Sequence, residues 1–298
     1  MKKLTLLSAW FSIFAISGSL LFSSCKKQSS EITAEDDPTE VAATKEAVAD
    51  DAASEAMYDD VFNITASMNS SQVGEDLGMG VNVSGLFQLG GRTDSATHCF
   101  TITVVPNIPH VFPKTVTIDF GAGCLCRDGK YRKGKIVTIY TGPMVVPGSK
   151  VSTTFVDYKV DSFAIEGTHI TENTSTSNMQ GWKVSVINGK ITNTITGRWK
   201  KWNSTKQVTQ VEGNGTPAFP LDDVYKITGG AAGSNSGGHQ WSSVIVEPLI
   251  KKFTCPWIVK GTVRITRDGR VALLDYGNGS CDNQATITIN GVTHIITL

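Results

Sequence analysis

Neither sign of charge is in excess in this chain. Its 298 residues hold 27 lysines and arginines against 27 aspartates and glutamates, and only 18% are charged. A balanced surface gives no electrostatic case for nucleic acid, which selects a basic face, so no nucleic-acid partner is expected. Several catalytic signatures are absent too. No glycine-rich phosphate loop leads into a helix, no Gly-x-Ser-x-Gly elbow occurs, and His98, His110, His169, His239 and His294 form neither HExxH nor HxH. No CxxC or HxxxH pair completes a zinc set. Beyond residue 22, no apolar run approaches the roughly 20 residues of a membrane-spanning helix. What is abundant instead is Thr, Ser and Gly, the mixture of β-rich proteins outside the cytoplasm.

The N-terminus carries the clearest pattern. Lys2 and Lys3 precede an uncharged apolar stretch from Leu4 to Phe22, and the small residues Ser23 and Ser24 stand directly before Cys25. This predicts a lipoprotein signal peptide over residues 1–24, with Cys25 as the lipidated (diacylglycerol- and palmitate-bearing) residue. Phe22 departs from the Leu, Val or Ile usual at that place, and an uncleaved anchor is the alternative. Lys26 rather than Asp after the cysteine leans towards the outer membrane. Residues 25–39 are polar and acidic and read as a disordered tether. Over 40–70, Val41, Val48, Ala52, Ala56, Val61, Ile64 and Met68 recur at three- and four-residue steps. They predict one amphipathic helix, broken near Tyr58, packed on the domain rather than lying on a membrane, because its polar face is acidic.

From about residue 75 to 298 the period changes to two. Short Thr/Val/Ile runs alternate apolar and polar residues. Four dipeptides stand where hairpins are expected: Asp128-Gly129, Asn188-Gly189, Asp268-Gly269 and Asn290-Gly291. The expected fold is all-β: an extended antiparallel meander of a dozen or more strands, a sandwich or partly open curved barrel, preceded by one helix. An internal echo predicts two related halves, about 80–215 and 216–298. Cys99 precedes Asp119-Phe120-Gly121 by the same 20 residues that separate Cys255 from Asp275-Tyr276-Gly277, at an offset of 156. In an oxidising compartment the echo proposes two disulfides, Cys255 with Cys281, and Cys99 with Cys124 or Cys126, each contributing about 3 kcal/mol. One cysteine of the Cys124-x-Cys126 pair is then left over and is expected to be buried and inert.

Asp119-Phe120-Gly121 spells a kinase magnesium motif, but no kinase loop accompanies it, and the Asp is expected to cap backbone N–H groups in a turn. The Asp275–Asp282 turn has acidic oxygens without the spacing of a calcium loop. Gly230 to His239 reads as a flexible surface loop. Arg198-Trp199-Lys200-Lys201-Trp202 is the strongest surface candidate, since indole faces stack on sugar rings and the cations bind acidic groups. Arg198, Trp199 and Trp202 are therefore the candidate ligand contacts. Alternation along a strand sets the competing expectation that Trp199 points into the core while Arg198 and Lys200 reach solvent. Asp94-Ser95-Ala96 matches a short acceptor pattern for bacterial O-glycosylation.

Several blocks taken in order extend the reading: Val116–Gly121, Arg132–Ile136, Tyr140–Gly142, Pro147–Ser149, Tyr158 with Ile165–Gly167, and Leu274–Asn283. Together they resemble a family of uncharacterised outer-membrane lipoproteins of the Bacteroidota, over residues 25 to 298. The resemblance implies export, lipidation and an envelope role. It brings no catalytic residue, metal or cofactor, and none is assigned. The expected function is non-enzymatic binding or a structural role at the envelope, with the membrane as partner through the anchor and a glycan, lipid or envelope protein as ligand. The alternative is a polysaccharide hydrolase, for which Asp119, Asp157, Asp161, Glu166, Asp222 and Asp223 are available without a distinguished pair. Lipid transport would require an apolar cavity between curved sheets.

Overall fold

The computed structural model describes residues 38–66, 100–126, 128–216 and 220–298. Cys25, Cys99, residues 25–37 of the expected tether and the Asp94-Ser95-Ala96 site lie outside the described residues; residues 38 and 39 belong to the helix rather than the tether. One helix, α1 (Pro38–Ala66), comes first. Fourteen strands follow: β1 (Thr101–Val105), β2 (Lys114–Asp119), β3 (Cys124–Leu125), β4 (Tyr131–Tyr140), β5 (Lys150–Val160), β6 (Phe163–Asn173), β7 (Gly181–Asn193), β8 (Trp199–Glu212), β9 (Val224–Asn235), β10 (Gln240–Lys252), β11 (Ile258–Arg267), β12 (Arg270–Asn278), β13 (Gln284–Ile289) and β14 (Val292–Thr297). They form one antiparallel sheet in chain order, with the short β3 beside β4 off the main path. β1 and β14 are its two edges and do not pair, so the sheet is not closed.

Period-two alternation gives this sheet an inner face that can be followed strand by strand. One cross-strand row runs Val116, Thr138, Thr153, His169, Val186, Ser204, Ala231, Ser243, Ile265, Ala272, Ile289. Every member is buried. The row begins and ends on aliphatic residues, and between them Thr, Ser and Ala alternate with His169, Val186 and Ile265. Thr138 and Thr153 share a 3.1 Å hydrogen bond within it.

The helix crosses this row, and its span shows that the sheet curves. Asp60 bonds Arg132 on β4, while Val41 packs against the cluster of Ala272, Ile287 and Ile289 on β12 and β13. Those two helical residues are about 29 Å apart at 1.5 Å per residue. The strands between β4 and β13, at about 4.8 Å each, cover about 43 Å of sheet. The sheet therefore wraps around the helix, in keeping with a partly open curved barrel. Bulges supply the bend. Register shifts interrupt β4–β5, β6–β7, β7–β8 and β11–β12. Two of them centre on Gly167 (φ 110) and Gly261 (φ 112), where a Cβ would collide with the backbone of Asn188 on the following strand and of Pro248 on the preceding one.

Sequence expectations meet this fold unevenly. Asp268-Gly269 and Asn290-Gly291 make two-residue hairpins with positive φ at both positions, as type I′ turns require. Asn188-Gly189 does not turn the chain. It is a bulge inside the continuous strand β7, and Gly189 lies tight against the Trp202 carbonyl and the Tyr58 hydroxyl, so the glycine serves close packing. Gly230–Asn235 is not a loop but the second half of β9, whose bare Cα atoms let Trp241 and the β10 backbone approach. The helix is unbroken at Tyr58 and ends at Ala66.

The two Asp-aromatic-Gly motifs are alike in detail. Asp119 Oδ1 accepts from Gly121 N, and Asp275 Oδ1 accepts from Gly277 N, both at 2.8 Å. Phe120 is buried and Tyr276 packs on the same core. Cys255 and Cys281 form a disulfide (Cα–Cα 5.8 Å) between the β10–β11 and β12–β13 connections. Cys124 is also disulfide-bonded, to a partner outside the described residues, and Cys126 is half-buried. The sheet runs on without a break between the expected halves, β8 pairing with β9 along nearly its whole length.

Candidate binding cleft

The helix stripe that faces the sheet is Thr44, Ala47, Asp50, Ser54, Tyr58 and Val61. It matches the expected apolar series in part: Val61 is buried and Val41, Val48 and Ile64 pack on the sheet, but Ala52 and Ala56 face solvent, and Met68 lies outside the described residues. Aspartates and glutamates of α1 instead turn towards donors on the sheet. Asp51 accepts from Trp202 Nε1 (2.7 Å), Ser243 Oγ (2.8 Å) and, more loosely, Trp241 Nε1 (3.4 Å). Asp50 meets Lys200 Nζ (2.7 Å) and Asn235 Nδ2 (3.0 Å). Asp60 meets Lys130 (2.6 Å) and Arg132 (2.9 Å), and Arg132 also holds Asp128 (2.6 Å). Tyr58 stacks on Trp202 at 5.8 Å and donates its hydroxyl to Glu166 O at 2.6 Å.

Burial and neighbours shape the protonation of these groups. Burial opposes charge on Arg132, yet the flanking Asp128 and Asp60 carboxylates hold its pKa above the usual value. Burial also works against ionisation of Asp128, but the Arg132 guanidinium keeps it below the ordinary carboxylate range. Further along α1, a small cavity of about 50 Å³ brings together Glu55, Asp59, His169 and Lys206. Burial, then the nearby Glu55, pushes the Asp59 carboxyl up to about 8. Burial opposes charge on Lys206, but its ion pair with Glu55 raises it above its ordinary value. Burial pushes His169 down to about 4.

A larger cleft of about 320 Å³ opens on the other side of the helix. Glu46, Asp50, Ala53, Ser54 and Met57 of α1 form one wall. The ends of β6 to β9 form the other, with Phe163 and Ile191 apolar, and Asn193, Thr196, Asn235 and Ser236 polar. Arg198, Trp199 and Lys200 complete it. The size is at the lower end of small-ligand sites. Most polar groups here are already engaged: Asn193 Oδ1 accepts from Ile195 N and Thr196 N, and Asn235 Oδ1 accepts from Gly237 N, each at 3.0 Å. Arg198 is the exception. Its side chain is 70% exposed, with one 3.4 Å contact to Glu46.

The structure therefore divides the three predicted contacts. Arg198 and Trp199 line the cleft together, and Trp202 does not. Trp202 is core, 2% exposed. The expected direction of alternation is reversed: Lys200 and Trp202 point to the helix, and Trp199 lies half-buried on the other side, with Lys201 Nζ 5.3 Å from its ring centre. Residues three apart on a strand face opposite sides, and the place beneath Tyr58 goes to Trp202. Sequence reasoning missed Glu46, Phe163, Asn193 and Asn235. The acidic period of the helix was the available signal for Glu46, but its partner Arg198 is 152 residues away.

Acidic residues weighed for hydrolysis are scattered over turns and strands. Asp119 caps a turn and pairs with Lys135, Asp161 accepts from Tyr131 N, and Glu166 pairs with Lys190 on the surface. Asp157 sits at a positive-φ position in β5, Asp222 accepts from Thr216, and Asp223 is engaged by Gln210 and Tyr225. Asp275, Asn278 and Asp282 each spend a side-chain oxygen on a backbone N–H two residues ahead. No protein-family model, no curated protein and no solved structure matches this chain.

Proposed function

We propose that this chain is a lipid-anchored outer-membrane protein of the envelope, attached through Cys25, that binds a short saccharide without catalysis. The supporting observation is the cleft beside α1, which Trp199, Phe163 and Ile191 line together with Arg198, whose side chain is largely exposed. An aromatic plane with apolar patches fits the C–H faces of a sugar, and a forked cation fits a uronate or other acidic substituent. Two carboxylates with oxygens to spare, which glycoside hydrolysis needs, are not found in this cleft: Asp50 is held by Lys200 and Asn235, and Glu46 faces Arg198. Export and anchoring follow the Lys2–Cys25 pattern and the family resemblance.

Native mass spectrometry of protein purified from its own envelope tests the ligand. A reproducible added mass in hexose- or uronate-sized steps, lost in Trp199→Ala, is the expected result. A bare wild-type mass, or an added mass indifferent to Trp199→Ala, would overturn the saccharide assignment.

A further inference from the structure

The two ends of the sheet are built differently. At one end, strands reverse through the two-residue turns Asp161-Ser162, Asp268-Gly269 and Asn290-Gly291. Its longer connections, 120–130 and 194–198, contain the charged residues Asp128, Lys130 and Arg198. At the other end, β1–β2, β4–β5 and β6–β7 are joined by three long neighbouring loops, 106–113, 141–149 and 174–180. These three loops hold no Asp, Glu, Lys or Arg in a chain that is 18% charged; the charge at this end lies on the other connections, at Asp222, Asp223 and Asp282.

Five of their apolar side chains point out, while Phe112 and Met144 turn in. Ile108 (58% exposed) and Val111 lie on the first loop, Val145 (61%) and Val146 on the second, and Met179 (44%) on the third. Each of the first two loops is held from beneath. Lys114, buried, donates Nζ to the Pro106 and Ile108 carbonyls. Met144 is buried under the second loop, where Asn173 Nδ2 donates to its carbonyl. The third loop is tied to the 213–223 connection through Gln180 N to Asn214 Oδ1. The aliphatic tips are thus presented by a braced rim.

We infer that this rim contacts a lipid bilayer, placing its aliphatic tips at the boundary between headgroups and acyl chains. Convex apolar tips on uncharged loops match that boundary, where an unpaired charge is costly and a buried methylene is favourable. The start of α1 lies near the end opposite the rim, where Val41 packs against Ile289, so the tether must span the strands; its 13 residues from Cys25 to Pro38 reach at most about 45 Å, against about 30 Å for the nine residues of β12. The inference rests on the envelope location proposed above, and is independent of the saccharide cleft.

The test uses the full chain in phosphatidylethanolamine and phosphatidylglycerol vesicles whose acyl chains carry bromine, a short-range quencher of indole. Val145→Trp reports the rim. Ile195→Trp, at an 82% exposed position at the opposite end, is the control. The expected result is loss of most of the emission added by Val145→Trp and none of that added by Ile195→Trp. Quenching of both, or of neither, overturns the inference. An unquenched Val145→Trp whose emission shifts blue with protein concentration assigns the rim to a second copy, and overturns it too. Flotation of the wild-type chain, lost in Cys25→Ser, reports the anchor separately, so a floating chain with an unquenched rim sinks this inference and spares the anchor.

Discussion

Helix α1 is held at its centre and near its C-terminal end by the same kind of side chain in opposite ways. Asp60 meets two cations, Lys130 and Arg132, with Asp128 sharing the second. Asp51, nine residues earlier, meets neutral donors: two indole N–H groups and a serine hydroxyl. A cation attracts a carboxylate from many directions, but an indole N–H satisfies it from one. The Asp60 end thus supplies attraction, and the Asp51 centre supplies position, with Trp202 fixed between Asp51 and the Tyr58 ring.

Substitutions that remove one side at a time sharpen the contrast. Arg132→Ala leaves two carboxylates facing each other without their buried partner and is expected to cost about 3–5 kcal/mol in denaturant unfolding. Asp51→Ala strands two indole N–H groups and a hydroxyl against the helix, an expected loss of about 2 kcal/mol, whereas Asp51→Asn keeps an acceptor oxygen and loses about 1 kcal/mol. Equal losses for the two Asp51 variants would mean that charge rather than position matters at the centre.

Between these two points lies Asp59, whose pKa is raised to about 8. It keeps its proton in the folded chain where the unfolded chain has lost it. Its contribution is complete below about pH 4 and is lost as pH rises to about 8, so its share of stability falls across that window. Asp59→Asn is expected to flatten the pH profile of the melting temperature there. His169, lowered to about 4, works the other way: stability falls as the pH drops below its ordinary 6.5, and this limb stays in Asp59→Asn. The smallest effect is Lys130→Ala. Its side chain is 42% exposed and Arg132 still holds Asp60, so a change below about 1 kcal/mol is expected, and a larger one would show that the two cations act as a unit.

Much of the sheet was legible because its signals are local. Alternation and the Asp-Gly and Asn-Gly dipeptides mark strands and turns within ten residues. The same dipeptide at Asn188-Gly189 misled, because what requires a glycine there is the carbonyl of Trp202 and the hydroxyl of Tyr58, both distant in sequence. The buried face of α1 was not legible either. Carboxylates ordinarily mark the wet side of a helix, and nothing within a turn of Asp51 shows that Trp202, Trp241 and Ser243 wait opposite it. For the cleft, the Arg198–Trp202 cluster marked the right strand end. The choice of which indole goes inward depended on the helix above.

Every long strand pairs with the next one in the chain. The meander can therefore assemble hairpin by hairpin, each step closing a short loop at small entropic cost. The helix breaks this locality: its bonds span from 70 residues, to Lys130, up to 192, to Ser243. It joins strands that otherwise know only their neighbours, and so converts a string of local events into one cooperative unit. Yet α1 precedes every described strand in synthesis, and its seat is unfinished until β13 has formed. The element made first is the last to be seated, so the interval between the two is when this chain has most need of a chaperone.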